Sequence, residues 1–534
     1  MSAEKRHLAS TLAARPWATS CLLAFACLSA HAQPLAPMQR QLQASPEWWV
    51  PSGTLAATRN QVVVLPGDQA VLVCADVPTA AQLLSLVDVL DLALCNSPQI
   101  KTALAGIKVR ASSVGEAQAA YWPVLTGAAN RLKNDARFPD LPQSNSSKTG
   151  NTTSLNLMWR LLDFGGRAAN RDAAGQLLLA AVAGHEAALQ KTLSAVVRAY
   201  YEALTAKSLL DLKTETARLT AATLASARQR EAKGAAALGD VLQAQTALLK
   251  ERLGEQRAQS DHRKALAALV NAMGAAAGTP LRLSENMAEP ALTQSTQPTQ
   301  PIRPAADWLS YAEATHPAIM AAQAQLVEAQ QRVIATRSEG LPSLDLTGTY
   351  YRNGSPSQGL ASSKSTVTNI GVVLNVPIFD GFGRTYKTYG ASAQLEQVQA
   401  QLQETRYQVQ TQILQSHADA EAARQNLAPS AELLAVAQAS VATSTRRYDK
   451  GAADIQELLN AQGALTQARQ ERLRSLMDWR SARLQLLANS GLLGRARAGS
   501  DEQDVLPASW PAPPSALAPA VLRPPAPAFE WQAQ

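Results

Sequence analysis

Aromatic and charged residues are scarce in this chain of 534 residues. Phe, Trp and Tyr make up 5% of the sequence, and Asp, Glu, Lys and Arg make up 17%. Ala, Leu and Gln dominate instead, a mixture that favours long helices over compact α/β units. The formal charge of +7 is modest, and no dense Lys/Arg patch is interleaved with aromatic residues. The composition therefore argues against a nucleic-acid-binding protein.

Histidine and cysteine are also rare, with six and four copies. No Cys/His spacing resembles a zinc site, and no serine lies in a nucleophile elbow. We therefore expect no metal, no cofactor and no catalytic residues, and we expect the protein not to be an enzyme. The sequence predicts ordinary helical roles for four separated histidines: His185, His262, His316 and His417.

Long apolar runs are absent beyond the N-terminus. Residues 1–32 read as a cleaved signal peptide, with an apolar stretch at Ala18–Ala30 and a small-x-small site at Ala30-His31-Ala32. An uncleaved anchor and lipidation at Cys27 are the alternatives. No later run reaches 18 apolar residues, so we predict no transmembrane helix. An exported chain of this kind is periplasmic, secreted or an outer-membrane β-barrel protein.

Two cysteines follow the signal peptide, Cys74 and Cys95. In an oxidising compartment we expect them to form a disulfide between the N-terminal extension, residues 33–80, and the first helix. Two buried free thiols are the alternative. At the other end, residues 492–534 are rich in Pro and Ala, which predicts a disordered tail.

The remaining sequence contains one plan twice, in residues 81–280 and 305–491, joined by a linker at 281–304. Four pairs of landmarks occur in the same order at a nearly constant offset, which is the signature of an internal repeat. They are Asn96-Ser97-Pro98 with Thr315-His316-Pro317, Tyr121-Trp122-Pro123 with Gly340-Leu341-Pro342, Leu162–Arg167 with Phe379–Arg384, and Lys233-Gly234 with Lys450-Gly451.

The sequence of each unit predicts a helix, two strands, a long helix and a return helix, in that order. A single first helix is expected over 80–120 and 305–339. Alternation of apolar and polar residues predicts two strands per unit, separated by polar loops at Asp135–Gly150 and Gly354–Ser365. The long helices, about 166–231 and 383–449, would each extend ~100 Å. We expect Pro429 to interrupt the second with a kink, and return helices over about 240–273 and 454–490.

Arg446-Arg447 and Arg472–Arg474 are interpreted as mostly solvated helix faces, with adaptor contact as the alternative.

Four strands cannot close a membrane barrel, which needs at least eight with every edge paired. The barrel must therefore be shared between subunits: two would supply eight strands and three would supply twelve. A shared β-barrel continued by long helices is a conduit. A periplasmic coiled-coil spacer without a pore is the alternative from another class.

These motifs resemble the TolC family of outer-membrane channel-tunnels over about residues 83–490. The resemblance rests on the strand-to-helix signatures Leu162–Arg167 and Ile378–Arg384 and the tip signatures Gly234–Gln245 and Gly451–Gln462. It implies a mainly α fold and a homotrimer with a twelve-stranded outer-membrane β-barrel continued by a periplasmic α-helical barrel. It also implies contact with outer-membrane lipid, and partnership with a periplasmic adaptor and an inner-membrane transporter.

Within that family, the stretch from Cys74 through Asp91–Pro98 is similar to the CyaE-type members. Those members serve type I secretion of an RTX toxin, the adenylate cyclase-haemolysin, which implies an inner-membrane ABC exporter as partner. The rival is a drug or solute efflux duct that works with a resistance-nodulation-division pump.

The resemblance also implies functional positions at the turns. Tip turns fall at Gly234 and Gly451, and acidic rings would constrict the periplasmic entrance at Asp240 and Glu457. Asn460 stands where the family often has a second acid, and Ala453 stands where it has a latching Arg. Asp454 is an additional acid. Simple helix capping is the alternative for Asp240 and Asp454.

The strand-to-helix turns are expected to be structural. Their residues are Asp163, Gly165 and Gly166 in the first unit and Asp380, Gly381 and Gly383 in the second. Trp159 and Tyr350-Tyr351 are candidates for an interfacial aromatic girdle, with core packing as the alternative.

Overall fold

A computed structural model describes residues 83–137, 139–140, 146–284, 302–353 and 365–493. The predicted signal peptide, the N-terminal extension with Cys74, most of the linker and nearly all of the tail lie outside the described residues. So does most of the predicted loop Gly354–Ser365. Among the described helices, none is both long and apolar enough to span a membrane.

The first unit contains two short helices, a β-hairpin and two long helices. In order, the elements are β1 (Leu83–Leu84), α1 (Leu86–Asn96), α2 (Pro98–Ala119), β2 (Val124–Ala136), β3 (Ser146–Leu162), α3 (Gly166–Ala232), α4 (Leu238–Ala272) and β4 (Arg282–Leu283). The second unit repeats the plan with α5 (Ala305–Thr315), α6 (Pro317–Ser338), β5 (Ser343–Asn353), β6 (Ser365–Asn375), α7 (Gly383–Asp449) and α8 (Ile455–Asn489).

The single first helix predicted for each unit is wrong, because each is broken before a proline. Ser97 and His316 take extended ψ angles of 121° and 124°. A proline ring disfavours helical geometry at the residue before it, so the chain turns there. Pro98 and Pro317 then begin the next helix, where a missing N–H costs nothing.

The four long strands form one antiparallel sheet in the order β2-β3-β5-β6. The register places Arg160 opposite Asp345, and Tyr350 opposite both Leu155 and Thr368. The first predicted loop is too long at both ends, because Asp135 pairs with Ser147 inside the hairpin. Within the described part of the chain, β2 and β6 each pair with a strand on one side only.

The long helices form two antiparallel hairpins that lie side by side. Helix α3 contacts α4 on one side and α8 on the other, and α8 contacts α7, which gives the lateral order α4-α3-α8-α7. Helices α2 and α6 pack along α3, and α6 also packs along α7. The long helices α3 and α7 begin and end within a residue of the predicted bounds. Helix α7 is not interrupted at Pro429 but continues as helix on both sides of it.

Among the apolar clusters of the described residues, two join helices of both units. The larger one joins α1, α3, α5 and α8 around wholly buried side chains such as Tyr200 and Trp308. The smaller one lies at the far end of the hairpins, where Tyr448 packs among Leu224, Val241 and Leu458. Each unit therefore contributes helices to both clusters, so neither unit's core is complete alone.

Candidate functional site: the strand-to-helix turns and the helical tip

The first strand-to-helix turn is closed by an aspartate. Asp163 Oδ2 accepts hydrogen bonds from the backbone N–H of Arg167 at 2.7 Å and from Arg167 Nε at 3.1 Å. Phe164 and Gly165 take φ angles of 51° and 96°, so the chain passes through the left-handed region here. The carboxylate thus satisfies a free N–H of the first turn of α3 while the backbone reverses direction.

The second turn repeats this arrangement with the aspartate and arginine at the same spacing. Asp380 Oδ2 accepts from Arg384 N at 2.9 Å and from Arg384 Nε at 3.1 Å. The left-handed pair is now Gly381 and Phe382, with φ angles of 65° and 66°. The glycine therefore precedes the phenylalanine in one turn and follows it in the other.

The other two turn glycines have different surroundings. A Cβ at Gly166 would collide with Ser338 Oγ on α6, whereas the nearest atom to a Cβ at Gly383 is Asp380 Oδ2 at 3.4 Å. Gly166 therefore permits close packing of α3 on α6, and Gly383 sits under a looser constraint.

Sequence reasoning missed the part played by the arginine of each turn. Arg167 donates to the carbonyls of Arg160 at 2.7 Å and Leu161 at 3.1 Å, and its guanidinium lies 4.8 Å from the centre of the Tyr121 ring. Arg384 donates to the Gly340 carbonyl at 3.0 Å. The fixed Asp–Arg spacing inside both signatures was the signal that could have found them.

The tip turns end α3 and α7 in the same way. Gly234 and Gly451 take φ angles of 72° and 71°. The N–H after each glycine reaches back to a helix carbonyl, from Ala235 to Arg230 and from Ala452 to Arg447, both at 2.8 Å. This is the glycine-dependent helix ending in which a residue past the end satisfies a free carbonyl of the last turn.

Two of the tip acids lie at helix starts and act on the backbone there. Asp454 is the N-cap of α8 and accepts from the Glu457 N–H at 2.8 Å. Asp240 accepts from the Ala237 N–H at 3.3 Å at the start of α4. Both contacts are the helix-capping geometry that was the alternative for these residues.

Glu457 lies beside an arginine. Its Oε1 accepts from Arg447 Nη1 at 2.7 Å and from Ser444 Oγ at 3.3 Å. Arg447, interpreted from the sequence as part of a solvated face, thus bridges the hairpin, although both side chains remain partly exposed. Asn460 is exposed and accepts from Gln456 at 3.0 Å.

The two hairpins are joined at the tip by a cation–π contact. The Arg230 guanidinium of the first unit lies 4.3 Å from the centre of the Tyr448 ring of the second. Arg230 Nη2 also donates to the Asp449 carbonyl at 3.0 Å. These contacts hold one tip turn against the other within a single chain.

Arg472 corrects another expectation. The sequence placed it on a solvated face, but its residue exposure is 1%. Nη1 donates to the Leu427 carbonyl at 2.7 Å and to Ser430 Oγ at 3.3 Å. Burial lowers the pKa of this guanidinium from its ordinary value.

Among the histidines, His316 links two helices. Its Nδ1 accepts from the Ala318 N–H at 3.2 Å and so caps α6. Burial lowers its pKa from 6.5 to about 4, and a hydrogen bond with the Asn489 backbone raises it in part. His185 is buried, and burial lowers its pKa as well. No group of three metal-ligating side chains lies together within the described ranges.

Two further predicted features fall partly within the structure. Cys95 is disulfide-bonded, and its predicted partner Cys74 lies outside the described residues. Trp159 donates from Nε1 to the Tyr121 carbonyl at 2.9 Å, and both Trp159 and Tyr350 remain exposed on the sheet. Both rings lie on the surface of the sheet in one protomer, and their place in an interfacial girdle stays a prediction.

Comparisons with known proteins agree with this architecture. Residues 89–275 and 308–492 match the outer membrane efflux protein family, and the two matches fall on the two units. Protein CyaE of Bordetella pertussis is 34% identical over 78% of this chain and 86% of its own length. The outer membrane efflux protein BepC of Brucella suis is 26% identical over 69% and 77%.

Solved structures show the same fold. The outer membrane protein VceC of Vibrio cholerae superposes with a TM-score of 0.65 at 20% identity, over 76% of this chain and 96% of that one. The fold is that of the TolC-type channel-tunnels, which are not enzymes. The chain therefore belongs to the outer membrane efflux protein family and is an outer-membrane efflux channel.

Proposed function

We propose that three copies of this chain form one duct that carries a protein substrate across the outer membrane in type I secretion. The observation that supports this proposal most strongly is the open four-stranded sheet, whose edge strands β2 and β6 lack a second partner in the described chain. An unpaired edge in the membrane leaves backbone groups unsatisfied, so the sheet must continue into other copies. Three copies close a barrel of twelve strands.

The faces of the sheet fit this assembly. On β6, the exposed apolar side chains of Ile370, Val372 and Leu374 point to one side, and Asn369, Gly371 and Val373 lie on the other. The other side carries the Arg160–Asp345 ion pair, with Arg160 Nε 2.9 Å from Asp345 Oδ1. We assign the apolar side to outer-membrane lipid and the charged side to the lumen.

The helical hairpins carry matching lateral faces. Helix α4, at one end of the lateral order, bears an exposed leucine stripe, defined as Leu238, Leu242, Leu249 and Leu253. Helix α7, at the other end, exposes Leu433 and Val436 at about the same distance from the tip turns as Leu249 and Leu253. A copy that pairs its β6 with this β2 brings its α7 against this α4. The strand edges and the helix faces therefore predict the same arrangement of adjacent copies. The helices of these copies would form a tube below the barrel.

The choice of secretion over efflux rests on similarity. The resemblance to CyaE-type members implies type I secretion of an RTX toxin such as an adenylate cyclase-haemolysin. Identity with Protein CyaE is 34%, against 26% with the efflux protein BepC. The partners would be a periplasmic adaptor and an inner-membrane ABC exporter.

At the periplasmic end of the tube, we assign Asp240, Asp454, Glu457 and Asn460 to the constriction. Threefold symmetry would place each of them three times around the entrance. The capping contacts of Asp240 and Asp454 place both carboxylates at helix starts, where the helix dipole favours negative charge. Glu457 would act together with Arg447, which takes the place of the latching Arg missing at Ala453.

Co-expression tests the secretion proposal. Cells are given this chain, an ABC exporter and adaptor of a type I system, and a large Gly-Asp-repeat protein, and the repeat protein is measured in the medium. Secretion that depends on this chain supports the proposal. If the repeat protein stays inside the cells, and the chain restores drug resistance when it is expressed with a resistance-nodulation-division pump, then the chain functions in drug or solute efflux. Absence of conductance in planar bilayers would instead favour a spacer without a pore.

A further inference from the structure

Helix α7 contains a proline in its interior, at Pro429. Proline has no N–H to donate to the carbonyl four residues earlier, and its ring crowds that carbonyl. The segment from Ser430 to Asp449 lies between this point and the tip turn, a length of ~30 Å. The helix is therefore weaker at Pro429, which separates the part of α7 nearer the sheet from the part nearer the tip.

A buried arginine lies directly against this weakened point. Arg472 of α8 donates from Nη1 to the Leu427 carbonyl, two residues before the proline, at 2.7 Å. The same Nη1 lies 3.3 Å from Ser430 Oγ, which itself donates to Leu427 O at 3.0 Å. Arg472 therefore contacts one residue on each side of Pro429.

The burial of Arg472 does not depend on other copies of the chain. At 1% exposure it is already enclosed within one protomer. Burying a guanidinium is costly unless it is well hydrogen-bonded, so a position of this kind is occupied for its contacts and not for solubility. Apolar packing would have filled the same space without that cost.

Packing between α7 and α8 changes character at this level. Away from the tip, the seam is an open cleft of small and polar side chains: Ser416, Asp419, Asn426, Ser475 and Asp478. Toward the tip, the seam is held by a small cluster of Leu434, Ala437 and Ala468. Arg472 is a large buried side chain between the two, together with the buried Leu427 and Leu473.

We propose that Pro429 is a hinge in α7 and that Arg472 is the positioning residue that locks it. The tip hairpin, defined as Ser430–Glu471, then bends at this level as one lever when the lock is released, and α8, which is continuous here, flexes beside the hinge. This inference rests on the proposed duct, whose periplasmic entrance the lever would open and close. The device lies inside each protomer, and the contacts of Arg230 with Tyr448 and Asp449 must break or move with the lever, because they tie it to the first hairpin.

A double-mutant cycle tests the lock through its dependence on the proline. Four trimers are compared in planar bilayers: wild type, Arg472→Met, Pro429→Ala and the double variant. Arg474→Met, on the exposed side of α8, is the matched control. Loss of a buried charged hydrogen bond predicts a rise of about tenfold in the open-to-closed ratio for Arg472→Met. In the Pro429→Ala background the restored N–H removes the hinge, so the same substitution has little effect there.

Hydrogen exchange of the amides at 425–433, measured in detergent on the same proteins, gives a second readout that needs no conduction. Faster exchange in Arg472→Met, reversed in the double variant, supports the lock. Equal effects of Arg472→Met in both backgrounds, or unchanged exchange in all variants, would overturn it. A wild type that fails to conduct contradicts the duct itself, and the exchange data then still decide whether the hinge exists.

Discussion

Single residues set how closely the long helices approach each other beneath the sheet. Gly166 and Gly383 occupy the same place in the two units, yet only Gly166 faces another helix at clash distance. The two positions therefore form a natural matched pair.

Substitution of Gly166 by alanine is expected to lower the free energy of unfolding by about 1–3 kcal/mol, because the added Cβ forces α3 away from α6. The same change at Gly383 should cost less, since its nearest atom lies at ordinary contact distance. Thermal unfolding in detergent compares the two, and Ser338→Ala should restore part of the loss in the first. Equal losses at both glycines would contradict the packing account.

The lowered pKa of His316 predicts that acid destabilises the start of α6. Its pKa falls from 6.5 to about 4 in the folded chain, so the folded state holds the neutral ring while the unfolded state binds a proton below pH 6.5. Stability from this residue is therefore fully present above pH 6.5 and is lost progressively as the pH falls toward 4, by about 3 kcal/mol in total.

The measurement is the unfolding midpoint between pH 7 and pH 4 for wild type and for His316→Asn, which keeps a capping acceptor without a titrating ring. The variant should lose less stability over this range. His262→Asn is the comparison for a histidine inside a helix, because His262 lies within α4 and burial lowers its pKa as well. Identical pH slopes in wild type and His316→Asn would remove His316 as the cause.

Among the helices, α4 bears the exposed leucine stripe, and the packing within one protomer does not explain why these side chains are exposed. Leu249→Asp combined with Leu253→Asp should dissociate the trimer, because two charges would be buried against Leu433 and Val436 of a neighbour. Leu219→Asp, an exposed leucine at a similar level on α3, is the control. Blue native gels report the outcome, and intact trimers of the double variant would show that α4 does not meet another copy.

Most elements could be predicted from local pattern. Period-two alternation predicted the strands, and the repeated glycines at 234 and 451 predicted the ends of the long helices. The break at Ser97 was readable from Pro98, but the apolar pattern on both sides of it outweighed that signal. Arg472 could not be placed, because its partners Leu427 and Ser430 lie on another helix. Arg447 was missed for a related reason, since Glu457 approaches it only after the tip turn folds back.

At the scale of the whole molecule, the tip charges are expected to matter through their number around the entrance. Asp240→Ala with Glu457→Ala should change single-channel conductance or its block by divalent cations, because six carboxylates would leave the trimer and Arg447 would be freed. Asp454→Asn, which keeps the helix cap while removing charge, separates capping from electrostatics. Single-channel records identical to wild type would confine these acids to helix capping.

We propose that two further copies complete the open sheet of one chain. The most direct measurement is the mass of the particle extracted from outer membranes in mild detergent, determined by light scattering with the detergent contribution subtracted. Three copies of the chain are expected in each particle. A particle that contains a single copy, with β2 and β6 still unpaired, would contradict the proposal.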